Sequence, residues 1–78
     1  MNNVYEVKNL VREVLTESEI NLINKINFVE DDDKRLIKLR SVFFGQTDRT
    51  DIYIRVKDYV DPAWLVYKIY TLGKRYEF

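Results

Sequence analysis

Neither cysteine nor histidine occurs among the 78 residues, and there are only two glycines and one proline. Without cysteine no disulfide can close a loop, and without both residue types a zinc site or iron–sulfur cluster lacks its usual ligands. The same absence removes nucleophile arrangements built on histidine or cysteine, and with them the side chain that titrates nearest neutral pH. Two glycines are too few to shape a phosphate cradle, and neither a P-loop nor a GxGxxG is present. Ser18 and Ser41 lie in no nucleophile motif. The composition thus points away from an enzyme and away from any cofactor or metal. No stretch is long and apolar enough to span a membrane, and the opening MNNVYEVKNL lacks the basic-then-apolar order of a signal peptide. The expectation is a cytosolic protein with no membrane partner and no small-molecule substrate.

What is present is apolar enough to fold. Hydrophobic residues make up 46% of the chain and aromatic residues 14%, too many for a disordered segment. Residues 1–78 read as one domain, which at this size buries roughly 60% of its unfolded surface and is marginally stable. With disulfides and metals excluded, a second subunit or a large partner is the remaining way to add burial.

The formal charge is zero, but the charges are sorted. Residues 1–33 hold eight acids against three bases, a net of −5, and residues 34–78 hold ten bases against five acids, a net of +5. Such polarity shapes encounters with a partner rather than the fold.

Periodicity predicts a helix over residues 3–15, where Val4, Val7, Leu10, Val11, Val14 and Leu15 fall within about 140° of a helical wheel. Thr16-Glu17-Ser18-Glu19 has the form of a capping box and suggests either a short helix over about 17–24 or only a bend in the chain. From Lys25 to Val29 the pattern turns toward alternation, with Ile26 and Phe28 on one face, and Glu30–Lys34 reads as a charged turn. Residues 35–44 read as a strand with Ile37, Leu39 and Phe43 on one face, and Gly45–Thr50 as the next turn. Residues 51–60, DIYIRVKDYV, give the clearest alternation, Ile52, Ile54 and Val56 against Tyr53, Arg55, Lys57 and Tyr59. Asp61-Pro62 then opens a helix over 62–72 that Gly73 stops. The expected fold is α+β: α-(α)-β-β-β-α, a three-stranded antiparallel sheet covered on one face by helices. This order resembles that of double-stranded-RNA-binding domains, although those open the last helix with a lysine cluster and this one opens with Asp61-Pro62-Ala63-Trp64.

Three candidate sites follow. The carboxylates Glu30, Asp31, Asp32 and Asp33 are clustered, yet lack the alternating ligand spacing of an EF-hand loop and read as a solvated turn. On the last helix Leu65, Ile69 and Leu72 form a core stripe, leaving Trp64, Tyr67 and Tyr70 as candidates for binding a protein. On the expected sheet, Tyr53, Arg55, Lys57 and Tyr59 with Lys38 and Arg40 would form a basic–aromatic row suited to nucleic acid. The leading expectation is a non-enzymatic protein-interaction module that covers a larger partner's surface and self-associates. Its size and composition look like those of phage-encoded inhibitors. The alternative is a nucleic-acid-binding regulator using the sheet face.

Overall fold

Thr16 opens a helix by a reciprocal cap. Its hydroxyl accepts from the Glu19 N–H at 3.3 Å, and the Glu19 carboxylate accepts from the Thr16 N–H at 2.8 Å. The helix that begins there does not stop near residue 24 but continues through the segment whose alternation suggested a strand. In the computed structural model, which describes residues 3–46 and 50–78, the elements are α1 Asn3–Val14, α2 Glu17–Val29, α3 Asp32–Phe43, α4 Thr50–Lys57 and α5 Pro62–Leu72. No strand occurs among the described residues. The α+β fold with its three-stranded sheet is therefore overturned in favour of an all-helical one, and the likeness to double-stranded-RNA-binding domains falls with it.

The physical reason lies in what faces the core. The buried positions of α2 are Glu19, Ile23, Ile26 and Asn27, and those of α3 are Arg35, Leu39, Val42 and Phe43. Both sets are spaced i, i+4, i+7, i+8, which is the stripe of an amphipathic helix. Three of the eight are polar, so a hydrophobicity pattern sees only fragments of each stripe. Ile37, assigned to the core on the strand reading, is instead 63% exposed. In α4 the buried pair is Ile52 and Val56, four apart, while Ile54 between them faces out. β-branched residues gave this segment a strand-like alternation, and packing overrode it.

The flanking helices form as expected. In α1, Val7, Val11 and Val14 are buried, with Leu15 just beyond the helix. Asp61 caps α5 by accepting from the Ala63 N–H at 3.0 Å, Pro62 occupies the first turn, and Leu65, Val66 and Ile69 are buried. The turn expected over Gly45–Thr50 begins at Gly45, whose φ of +67° suits a residue without a Cβ, but Thr50 already belongs to α4. Its residues 47–49 lie outside the described ones.

Helix α3 packs against α5, α4 and α2, while α5 also meets α1 and α4. Two polar groups organise this arrangement from inside. The Arg35 side chain is almost fully enclosed, and its Nη1 donates to Asn27 Oδ1 at 3.3 Å. Its Nη2 donates to the Tyr70 carbonyl at 3.1 Å, and its guanidinium lies 4.6 Å from the centroid of the Tyr70 ring. Glu19, 1% exposed, accepts from Arg55 Nη2 at 2.5 Å, which joins α2 to α4. A buried charge is tolerated only with such partners.

The tail beyond α5 neither frays nor adds a strand. Gly73 at φ +105° and Arg75 at φ 72° turn the chain back over α2. There the Arg75 N–H donates to the Asn27 carbonyl at 3.3 Å, and Asn27 Nδ2 donates to the Tyr76 carbonyl at 3.1 Å. The Phe78 N–H donates to Asn24 Oδ1 at 2.7 Å and Arg12 Nη1 donates to the Phe78 main-chain oxygen at 2.8 Å, leaving the Phe78 ring buried.

The sorted charges meet within the chain. Acids of the first 33 residues pair with bases of the remainder: Glu19 with Arg55, Glu30 with Lys38, and Asp32 with Arg35 at 3.6 Å. Asp31 caps α3 by accepting from the Lys34 N–H. The acidic run 30–33 is thus largely a helix start with ion pairs, and no group of His, Cys, Asp or Glu among the described residues is arranged to hold a metal ion. Nor is any helix of the described residues long and apolar enough to cross a membrane.

Candidate protein-binding grooves beside α5

Because Leu36, Arg40 and Phe44 recur every four residues along α3 and its C-terminal cap, they form one ridge beside the α5 residues Ala63, Val66 and Tyr67. Between the two lies an open groove of about 220 Å³. Among the described residues, Arg40 is the one charged side chain lining it. Tyr67 is 61% exposed on its rim, and the exposed Ile37 neighbours Leu36 on the same helix. Large apolar side chains left in water along a groove, with one cation beside them, have the composition of a binding surface.

A second groove, of about 500 Å³, lies between α1 and α5. Glu6, Leu10 and Glu13 line it from α1, Tyr59 and Val60 from the loop after α4, and Trp64 from α5. Trp64 also carries Lys68 Nζ at 5.8 Å from its ring centroid.

The candidates on α5 therefore do not make one site. Tyr67 belongs to the α3 side and Trp64 to the α1 side, whereas the ring and carbonyl of Tyr70 are both engaged by buried Arg35. The nucleic-acid row also disperses. Successive helical residues are turned by about 100°, so residues that alternate along a strand point to different sides of a helix. Lys38 pairs with Glu30, Arg55 with Glu19, and Lys57 lies 5.5 Å from the Tyr53 ring centroid. Arg40 lines the α3/α5 groove, and Tyr59 lines the groove that carries Glu6 and Glu13. With no sheet, there is no basic–aromatic sheet face.

Leu36, Phe44 and Ala63 were missed by the sequence reading, as was the pairing of Arg40 with Tyr67 across one groove. The usable signal was the i, i+4 spacing of residues 36, 40 and 44 and of 63 and 67, which a strand assignment over 35–44 conceals. No family model, curated protein or solved structure matches this chain.

Proposed function

We propose that this protein is a non-enzymatic binding module that docks an amphipathic helix of a partner protein in the α3/α5 groove. The observation that carries this reading is the juxtaposition of exposed Tyr67 with Leu36, Phe44 and Val66 and, as the charged side chain among the described lining residues, Arg40. A groove between two helices accepts a third helix through anchors spaced i, i+3 and i+4. Arg40 at its edge selects an acidic residue beside those anchors, since its fork pairs with a carboxylate in two parallel hydrogen bonds. Docking a helix here would cover part of a larger partner by steric occlusion. A standard interface occupies about 800 Å² per partner, roughly a sixth of this protein's 4979 Å² surface.

Selection of random peptides on the immobilised protein tests this directly. Recovered sequences are expected to combine a carboxylate with large apolar residues at helical spacing, and to lose binding to Tyr67→Ala and to Arg40→Glu. Peptides that bind both variants as well as wild type would defeat the proposal. So would a concentration-dependent dimer in sedimentation that Tyr67→Ala abolishes, since the groove would then be filled by a second copy.

A further inference from the structure

We infer that the second groove, between α1 and α5, receives a lysine- or arginine-bearing segment of a partner protein. The inference shares with the preceding proposal only the premise that the protein binds proteins, and it uses a different surface. Three features of the groove converge on a cationic occupant with an apolar stem.

The first is the order of side chains along α1. Glu6, Leu10 and Glu13 stand at i, i+4 and i+7, which sets carboxylate, apolar and carboxylate groups in a row along one wall. Lys and Arg place a hydrocarbon stem on apolar surface while their charged heads reach a polar rim, and this row offers both.

The second is the aromatic wall. Tyr59 and Trp64 face this row across the groove, and the face of an aromatic ring attracts a cation. The chain's own Lys68, with its Nζ 5.8 Å from the Trp64 ring centroid, already uses that attraction.

The third is what the two carboxylates lack. Glu19, Glu30 and Asp32 are ion-paired with bases of the second half of the chain. Glu6 and Glu13 have no ion-pair partner among the described residues, and both are exposed. Glu13 moreover lies in the last turn of α1, where the negative end of the helix dipole disfavours a carboxylate. Glu6 sits in the first turn, where the dipole favours it. Glu13 is thus the charge that neither fold stability nor internal pairing accounts for, whereas a cation supplied by a partner does. Phosphate-bearing ligands are disfavoured by the same two charges.

Trp64 is the single tryptophan of the chain, so its fluorescence reports on this groove. The experiment titrates wild-type protein with an end-capped peptide of alternating Lys and Leu, and with an end-capped Glu/Leu peptide as control. The Lys/Leu peptide is expected to change Trp64 emission saturably and the control is not. The affinity is expected to fall about tenfold in the Glu6→Gln/Glu13→Gln double variant and to weaken with added salt. Both positions are exposed and Gln keeps their shape, so an unchanged far-ultraviolet circular dichroism spectrum verifies the variant's fold. Tyr67→Ala is expected to respond like wild type, which separates this groove from the α3/α5 one. The inference is overturned by an absent or unsaturable response, by equal affinity in the double variant, or by equal binding of the Glu/Leu control. It is also overturned if the protein alone shows a concentration-dependent emission change that the double variant abolishes, because the occupant is then a second copy.

Discussion

Two regions of this molecule treat their difficult side chains in opposite ways. In the seam where α2, α3 and the tail meet, polar groups are buried and nearly every one is answered. Arg35 is held by Asn27 and Tyr70, and Asn27 in turn holds Tyr76 and Arg75. On the flanks of α5, aromatic groups are left in water instead, with Tyr67 and Tyr59 both more than half exposed. The seam ties α2, α3, α5 and the tail together in a chain that has no cysteine. On the proposed reading, stability and binding fall to separate residues, and substitutions should divide the same way.

Arg35→Ala attacks the seam most directly. It strands the Asn27 Oδ1 and Tyr70 carbonyl acceptors and empties a buried site, so unfolding in urea is expected to show a loss of about 3 kcal/mol. A loss below about 1 kcal/mol would mean that the seam is not what holds α2, α3 and α5 together. Phe78→Ala tests the tail, which is the seam's outer layer. Its ring is buried where the tail folds back over α2, so about 2 kcal/mol is expected to go, and hydrogen exchange at the Arg75 and Phe78 amides should accelerate with it. Unchanged exchange at those amides would show that the ring is not what seats the tail. Thr16→Ala removes one half of the capping box and is expected to lower stability by about 1 kcal/mol, read from the urea midpoint at constant m-value. The smallest effect on stability belongs to the flank. Tyr67→Ala is expected to stay within about 0.5 kcal/mol of wild type while losing the peptide-binding phenotype. A large destabilisation by Tyr67→Ala would erase the division between the two regions.

How much of this was legible beforehand depended on which residues faced the core. Helices α1 and α5 could be read because their inward positions are aliphatic and their starts or stripes follow ordinary rules, down to Asp61-Pro62 at the head of α5. The start of α2 was legible from Thr16 and Glu19 for the same local reason. The middle of the chain was not. Glu19, Asn27 and Arg35 occupy core positions of α2 and α3, and the alternating β-branched residues at 52, 54 and 56 imitated a strand. The site shared this fate. Tyr67 and Trp64 were identified as surface aromatics, but the groove partners of Tyr67, Leu36 and Phe44, stood on what looked like a strand. The contact of Tyr70 with Arg35 could not be read locally, because it joins residues 35 positions apart.

By itself, the sequence determined the sorting of charge, the exclusion of disulfides, two complete helices and the capping box at Thr16. These depend on composition or on residues within a helical turn of one another, where spacing alone decides what meets. Only the tertiary structure decided that Glu19, Glu30 and Asp32 of the acidic half pair with bases of the other half, that Arg35 is a core residue, and that the aromatics of α5 divide between two grooves. Burying a polar side chain is favourable only if acceptors from other elements converge on it, and that convergence is a property of packing rather than of local pattern.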